Sequence, residues 1–306
     1  MKPSSIAPRE MQSITTPSER FKDLPDFDYQ ENFVGFQGMQ MHYLDEGEGE
    51  TILALHGQPS WCFLYRKFIP VLKNYRFIAP DFFGFGKSDK PIGFKDYSYK
   101  FHLDSLDHFC KSLDLRDVTL VVQDWGGLLG LGLLGQQPER FKRVVIMNTF
   151  LPIGKKLKLP FKMWVWFARY HPSIPVGKVI EYASYRKLSK KVIAAYDAPF
   201  PNKKYKAGAK SFPSLVPGKK DDPAVPYLRK AREVLSQWDR PALILFSDKD
   251  KVLGGLEKFF YKLVPTANDE KRIIIKDAGH FLQEEKGEEI ARYIDAFIKE
   301  ELKVTP

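Results

Sequence analysis

The sequence predicts an α/β fold, in which a mostly parallel, doubly wound sheet is covered by helices on both faces and carries an inserted helical cap. Short apolar runs recur along the chain, and each ends at a turn or loop signal, as expected of strands buried on both faces. The alternation of strands and helices is interrupted from Leu151 to about Asp222 by a segment rich in Pro, Lys and aromatic residues, and it resumes from Pro241. This interruption predicts an insertion that covers one end of the sheet.

Six apolar runs are the predicted strands of this sheet. They are residues 51–55, 77–80, 118–122, 144–148, 242–246 and 272–275, and a helical pattern follows from about residue 285 to 299. The predicted domains are a main domain, residues 1–150 and 223–306, and a cap, residues 151–222. Ligands of such sheets bind beyond the carboxyl ends of the strands, so we expect the functional residues directly after these strands or in the cap.

The composition allows a sizeable core, because 43% of the 306 residues are hydrophobic. No apolar run approaches the roughly 20 residues that span a bilayer, and residues 1–25 lack the apolar segment of a secretory signal. With only Cys62 and Cys110 present, a disulfide framework is not expected. These features predict a soluble, cytoplasmic protein without a membrane partner.

The net charge of +10 is concentrated in the cap. Residues 151–222 hold 16 basic and four acidic side chains, a net +12, whereas the rest of the chain holds 32 basic and 34 acidic ones, a net −2. A solvated, lysine-rich surface explains this charge, and so does attraction of an anion toward a site beneath the cap. The basic residues are scattered and no known nucleic-acid-binding module is present, so nucleic acid is not an expected partner.

Two glycine-rich stretches imitate nucleotide-binding motifs without their context. Residues 84–88 look like the end of a phosphate loop, but Asp81 stands where its first glycine is required. Residues 130–135 fit GxGxxG, yet no strand ends directly before them, and they lie inside a predicted helix. The sequence therefore predicts no nucleotide, and it predicts neither a metal nor an organic cofactor.

Residues 121–127 (VVQDWGG) have the layout of a nucleophile elbow, in which a strand turns sharply into a helix and exposes the residue at the tip. Gly126 and Gly127 allow the helix to pack closely on the strand. The tip residue is Asp124, where a serine is usual. The alternative role of an Asp at this place is to cap the helix.

Two further stretches complete an arrangement for nucleophilic catalysis. Residues 56–59 (HGQP) follow the first predicted strand, where this architecture supplies a backbone N–H to an oxyanion hole. His280 follows the last strand and completes the order nucleophile, acid, base. The acid should follow a late strand, where Asp248 and Asp250 both stand, and Asp250 is preferred because it lies nearer the loop exit. The other acid position is empty, since no Asp or Glu occurs between residues 149 and 180.

A carboxylate nucleophile indicates displacement at a saturated carbon. Attack by a serine oxygen would leave an ether, whereas attack by a carboxylate leaves an ester that a His-activated water can hydrolyse. Loss of halide from an alkyl halide and opening of an epoxide both fit. A departing halide needs hydrogen-bond donors in a dry pocket, and an epoxide oxygen needs a proton, usually from a tyrosine.

Donors for both leaving groups are present. Trp125 follows the nucleophile, the cap adds Trp164 and Trp166, and an indole N–H is a donor only. Packing in a helix is the alternative role of the two cap tryptophans. The cap also contains five tyrosines: Tyr170, Tyr182, Tyr185, Tyr196 and Tyr205. Spacing alone therefore leaves both reactions open.

Several stretches around the predicted site resemble one known family, the haloalkane dehalogenases of the α/β-hydrolase superfamily. They are residues 56–61 (HGQPSW), 80–91 (PDFFGFGKSDKP) and 121–127 (VVQDWGG). Residues 195–201 (AYDAPFP) and 212–213 resemble the cap of the subfamily whose acid follows a late strand, and the match runs from about residue 29 to 298. Epoxide hydrolases more usually carry His before the nucleophile, where this chain has Gln123.

The resemblance implies the hydrolysis of a small haloalkane by water to an alcohol, a halide ion and a proton, without a cofactor. It implies Asp124 as the nucleophile that forms an ester, Asp250 as the acid and His280 as the base. The preferred halogen, the chain length and the natural substrate are left open, and a monomer or weak homo-oligomer is expected.

The resemblance also implies the groups that bind the halide and the oxyanion. Trp125 is one halide donor and a cap tryptophan is the other, with the alignment favouring Trp164 and leaving Trp166 as the alternative. The backbone N–H groups of Gln58 and Trp125 would form the oxyanion hole. The family commonly has Glu at position 58, and the cap is where this chain departs most from the family.

Overall fold

A computed structural model describes residues 11–156, 159–267 and 272–301. Its strands are β1 (Ser13–Ile14), β2 (Asn32–Phe36), β3 (Met39–Glu46), β4 (Thr51–Leu55), β5 (Arg76–Pro80), β6 (Lys90–Pro91), β7 (Val118–Gln123), β8 (Phe141–Met147), β9 (Ala242–Ser247) and β10 (Ile273–Ile275). Its α-helices are α1 (Tyr99–Ser112), α2 (Trp125–Gln136), α3 (Leu159–Tyr170), α4 (Val176–Ala183), α5 (Lys190–Asp197), α6 (Ala207–Ser211), α7 (Val225–Ser236), α8 (Glu257–Leu263) and α9 (Leu282–Ile298).

Eight strands form one sheet in the order β2-β3-β5-β4-β7-β8-β9-β10, and β1 pairs with β6 apart from it. In this order, each strand from β5 through β10 is parallel to the next one. The pairs β2–β3 and β3–β5 are antiparallel. The predicted mostly parallel sheet is confirmed. Because the parallel strands run the same way, the loops that follow them meet at one edge of the sheet.

All six predicted strands are present, with ends that shift by a few residues. The largest shift is in β8, which begins at Phe141, three residues before the predicted start. The last helix begins at Leu282, also three residues early. The hairpin β2–β3 was not predicted, because the residues of β2 are alternately half-buried and exposed and form no continuous apolar run. Its turn, Gln37-Gly38, has positive φ at both residues, which is the geometry of a tight hairpin.

Helix α2 lies against the sheet, and every residue but its last is buried. Glycines let the backbone of α2 approach its neighbours on two sides. A Cβ on Gly126 would lie 2.0 Å from the carbonyl oxygen of Leu55 in β4, and one on Gly135 would lie 2.6 Å from the backbone nitrogen of Ala231 in α7. This packing holds the start of α2, and thus the elbow before it, close to β4.

Three buried side chains join α9, the predicted cap and the loop after β4. The guanidinium of Arg66 binds the carboxylate of Glu284 through two hydrogen bonds of 2.6 and 2.7 Å. The hydroxyl of Tyr196, in cap helix α5, donates to the same carboxylate at 2.7 Å. Burial alone would raise the pKa of Glu284, but the hydrogen bonds and charge of Arg66 hold it below its ordinary value.

Glu284→Gln should destabilise the protein by about 3–5 kcal/mol, because it leaves the charge of Arg66 buried without a partner. Urea unfolding of the wild-type and variant proteins measures this loss. The stability that Glu284 contributes is present above the ordinary pKa of a glutamate and is lost as pH falls through its lowered pKa in the folded protein. The difference between wild type and variant should therefore shrink in acid.

An exposed ion pair provides the control. Lys100 and Asp104 are partners on the surface of α1, and Asp104→Asn should cost less than about 1 kcal/mol. Equal losses in the two variants would contradict the role of burial.

Cys62 and Cys110 are both free and buried. In the part of the chain that the structure describes, no helix combines the length and apolar character needed to cross a bilayer.

Candidate active site

Asp124 stands at the tip of the turn between β7 and α2. Its backbone has φ +49° and ψ −119°, a conformation that residues other than glycine rarely adopt. Its backbone is fixed on both sides. Its N–H donates to the carbonyl of Asn148 at 3.1 Å, and its carbonyl accepts a 2.7 Å hydrogen bond from the hydroxyl of Thr149. Its side chain makes no capping hydrogen bond to α2, which leaves the carboxylate free for other partners.

The carboxylate of Asp124 has two neighbours among the predicted site residues. Oδ1 accepts a 2.8 Å hydrogen bond from the backbone N–H of Gln58, in the loop after β4. Oδ2 lies 3.4 Å from Nε2 of His280, in the loop after β10. Within the described residues, the backbone N–H of Trp125 makes no hydrogen bond to this carboxylate. The carboxylate therefore has one backbone donor on one side and an imidazole on the other.

The structure brings Asp250, rather than Asp248, to His280. Nδ1 of His280 lies 2.9 Å from Oδ2 of Asp250. Oδ1 of Asp250 accepts from the N–H groups of Val252 and Leu253 at 2.7 and 3.0 Å, which fixes its orientation. Asp248 instead accepts from the N–H of Asp277 and pairs with a neighbouring lysine.

His280 is held between two carboxylates, and this arrangement controls its charge. Burial alone would lower its pKa, but the carboxylates of Asp250 and Asp124 raise it to about 10. The pKa of Asp250, which burial would raise, is lowered because the imidazolium lies beside it. The two carboxylates therefore favour the protonated form of the imidazole as long as Asp124 carries its charge.

Two buried amides, which the sequence did not single out, fix the backbone of His280. Gln123, the last residue of β7, donates from Nε2 to the carbonyl of His280 at 3.1 Å, and its Nε2 lies 3.3 Å from the imidazole Nε2. Asn148 donates from Nδ2 to the carbonyls of Gly279 and His280, both at 3.1 Å. The signal that could have found them is their place at the carboxyl ends of predicted strands.

The end of α4, in the predicted cap, contacts the loop of His280 directly. The N–H of His280 donates to the carbonyl of Ala183, the last residue of α4, at 2.8 Å. The carboxylate of Glu285 accepts from the N–H of Gly279 at 2.6 Å and from the N–H groups of Tyr185 and Arg186 at 3.0 and 2.6 Å. One carboxylate thus ties the cap to the loop of the predicted base, and the sequence did not indicate this role for Glu285.

A mostly apolar cavity of about 260 Å³ lies between these loops and the cap. It is lined by Gln58, Pro59, Asp124, Trp125, Phe150, Phe161, Trp164, Val179, Tyr182, Ala183, Pro213, Val216, Lys251, Val252, His280 and Phe281. The site residues at its floor are buried, and Asp124 is 8% exposed. The cavity therefore gives a small apolar molecule access to the carboxylate.

Two of the three candidate tryptophans line this cavity. Trp125 and Trp164 are in its wall, whereas Trp166 is 66% exposed and packs on Tyr170. Among the described residues, the indole N–H groups of Trp125 and Trp164 have no acceptor. They differ in this from Trp61, whose N–H donates to a carbonyl of α5. The cavity wall thus contains two indole N–H donors that bind no acceptor among the described residues.

Of the five cap tyrosines, all of which lie in described segments, Tyr182 is the one in the cavity wall, and it is 79% exposed. Tyr196 is buried, and its hydroxyl is occupied by Glu284. Neither is a buried phenol beside Asp124.

One group in the described residues brings three possible metal ligands together: His42, Cys62 and Asp81 lie with their ligand atoms within 4.8 Å of one another. All three are buried. The carboxylate of Asp81 is already hydrogen-bonded to Nδ1 of His42 and to the N–H groups of Cys62 and Lys87, at 2.7–2.8 Å. We interpret the group as a structural network beneath the loop after β4.

Comparison with known proteins identifies the fold family of this chain and its relatives. Residues 50–287 match the family described as alpha/beta hydrolase fold. The haloalkane dehalogenase of Psychrobacter cryohalolentis is 43% identical over 298 residues, which cover 94% of this chain and 98% of that protein. The haloalkane dehalogenase of Mycolicibacterium paratuberculosis is 43% identical over 294 residues, with 93% and 97% covered.

A solved structure agrees with these relatives. The tetrameric haloalkane dehalogenase DpaA from Paraglaciecola agarilytica NO2 superposes with a TM-score of 0.87 at 40% identity, and the match covers 92% of this chain and 97% of that one. Fold, sequence and length thus agree over nearly the whole chain. The chain belongs to the haloalkane dehalogenases of the α/β-hydrolase fold.

Proposed function

We propose that the protein hydrolyses haloalkanes to an alcohol, a halide ion and a proton through an ester on Asp124. The observation that carries the proposal is the position of this carboxylate. It lies on the floor of an apolar cavity, 2.8 Å from the N–H of Gln58 and 3.4 Å from the imidazole of His280. Membership of the family supports the same reaction.

In the first step, an oxygen of Asp124 attacks the carbon that bears the halogen. The carbon–oxygen bond forms as the carbon–halogen bond breaks, and the halogen takes the electron pair and leaves as an anion. We assign its stabilisation to the indole N–H groups of Trp125 and Trp164, because both side chains line the cavity. The apolar walls exclude water from the reacting atoms.

In the second step, His280 removes a proton from a water molecule, which attacks the carbonyl carbon of the ester. Formation of the neutral ester removes the charge of Asp124, one of the groups that raise the pKa of His280. The imidazole therefore gives up its own proton more readily and becomes a base. Asp250 orients the ring and stabilises the imidazolium that forms again.

We assign two backbone N–H groups, those of Gln58 and Trp125, as the donors to the oxyanion of this second step. The first already contacts Oδ1 of Asp124, so it lies where negative charge develops. The tetrahedral intermediate then collapses, and its carbon–oxygen bond to the alkyl group's oxygen breaks. The departing alkoxide takes the proton of the new carboxyl group, which gives the alcohol and restores the carboxylate. In sum, R–X and water give R–OH, X⁻ and H⁺.

Opening of an epoxide by the same carboxylate is less favoured. The relatives of this chain at 40–43% identity are haloalkane dehalogenases. In addition, the tyrosine of the cavity wall, Tyr182, is largely exposed. Incubation with 1,2-dibromoethane and with an epoxide, with assays for bromide and for diol, tests the choice. Diol without bromide would contradict the proposal.

Trp164→Phe should slow the carbon–halogen step, because it removes a donor aimed at the developing halide charge. A lost donor in a water-excluded site costs on the order of 2–4 kcal/mol of activation free energy, by analogy with oxyanion holes. Single-turnover bromide release measures the effect, and quenching of tryptophan fluorescence by halide should weaken in the same variant. Trp166→Phe is the control. If Trp166→Phe shows both effects and Trp164→Phe neither, the assignment of the cap tryptophan is wrong.

We also propose that the cap comprises residues 151–222 and the main domain residues 1–150 and 223–306. Helix α7, which begins at Val225, packs on α2, whereas α3 and α4 contribute to the cavity wall.

A monomer or weak homo-oligomer remains the predicted state of assembly, and the cytoplasm remains the predicted location. Sedimentation of the purified protein would measure the state of assembly.

A further inference from the structure

The cavity has an exposed rim as well as a buried floor, and Lys251 belongs to the rim. This residue directly follows Asp250 in the loop after β9, and its neighbours in the wall, Tyr182 and Val252, are 79% and 50% exposed. At the floor, Trp125 is only 3% exposed. Among the described residues that line the cavity, Lys251 is the one lysine, so the cavity leads from a carboxylate at its floor to an ammonium at its rim.

The ammonium of Lys251 has no carboxylate partner among the described residues. Its neighbour among those residues is the ring of Tyr182, whose centroid lies 5.8 Å from Nζ. Asp250, its neighbour in sequence, is occupied by His280 and by two backbone N–H groups. Lys249 differs, because its Nζ lies 3.3 Å from Asp248. Lys251 can therefore bind an incoming anion without giving up an ion pair.

The predicted cap, whose helices α3 and α4 contribute to the cavity wall, carries an excess of positive charge. Its net charge is +12, although one of its lysines, Lys158, lies outside the described residues. Two of its four acids are already engaged: Glu181 pairs with Lys178, and Asp197 accepts from a backbone N–H. Such a distribution of charge raises the local concentration of anions, an effect that falls with ionic strength.

We propose that the enzyme accepts haloalkanes that carry a carboxylate at the end remote from the halogen, and that Lys251 binds this carboxylate at the rim. This inference rests on the proposed function. The methylene chain of an ω-halocarboxylate fits the apolar walls. Its carboxylate has to remain at the rim, because an unpaired charge inside the cavity, facing the carboxylate of Asp124, would be strongly unfavourable.

The test compares two substrates of matched length, 6-bromohexanoate and 6-bromohexan-1-ol. Bromide release gives kcat/KM for each, and the ratio of acid to alcohol cancels any general loss of activity or of folded protein. An exposed ion pair changes an equilibrium by up to about fivefold. We therefore expect Lys251→Met to lower the ratio by about fivefold, and Lys251→Glu to lower it further. Added NaCl should lower the ratio of the wild-type protein.

Lys249→Met is the matched control, because Lys249 lies in the same loop but outside the cavity wall. We expect it to leave the ratio unchanged. An equal ratio in the wild type and in Lys251→Met would overturn the proposal, and so would an equal fall in both lysine variants. Absence of bromide from both substrates and from 1,2-dibromoethane would instead contradict the proposed function.

Discussion

Replacing Asp124 with Ala should abolish halide release, with a loss in kcat on the order of 10⁶-fold, as for other covalent nucleophiles. The variant has no oxygen that can displace the halogen, and the remaining cavity can only bind the substrate. Bromide release from 1,2-dibromoethane measures the loss. Because the side chain of Asp124 does not cap α2, the variant should still fold, which circular dichroism would verify.

Asp248→Ala is the control for this experiment. Asp248 follows β9 as Asp250 does, but its partners are Asp277 and Lys249 rather than His280. Its removal should leave most of the activity. Retention of catalytic bromide release by Asp124→Ala would mean that another group attacks the carbon.

His280→Gln should stop the reaction after the first step. A carboxylate needs no deprotonation at neutral pH, so the histidine cannot assist the attack on carbon, whereas the hydrolysis of the ester needs a base. We expect one bromide per protein molecule, followed by a halt. Mass spectrometry of the protein and of its peptides should locate the added alkyl group on Asp124.

Asp250→Ala should give a weaker form of the same result, because the ring of His280 stays in place but loses the carboxylate 2.9 Å from its Nδ1. The ester should accumulate and then decay slowly. Sustained bromide release by His280→Gln without any modified peptide would rule out the two-step reaction.

The sequence was sufficient to predict the parallel part of the sheet and the meeting of Asp124, Asp250 and His280. Buried parallel strands are continuous apolar runs, and residues that directly follow them are gathered at one edge by the parallel arrangement itself. The geometry of β7, β9 and β10 therefore brings together three residues that are distant in sequence.

The place of Gln123 and Asn148 at the ends of predicted strands could have marked them as candidates, but it could not have given their partners. The hydrogen bonds of Gln123 and Asn148 to the loop of His280 depend on the register between neighbouring strands, which spacing does not define. Trp164 and Trp166 are two residues apart on α3 and so face different sides of the helix. The spacing thus indicates that one of them is inside, but the orientation of α3 on the main domain decides which.

The hydrogen bonds between the cap and the loop of His280 have a mechanical consequence. If the end of α4 moved away from the sheet, the hydrogen bond from the N–H of His280 to Ala183 would break. Glu285 would also lose its hydrogen bonds to Tyr185 and Arg186. Local unfolding of this part of the chain would therefore remove contacts that help to position the loop of His280, and would leave that loop held by Gln123, Asn148 and Asp250 alone. Entry and exit of small molecules through the rim would leave these hydrogen bonds intact, and with them the position of the imidazole.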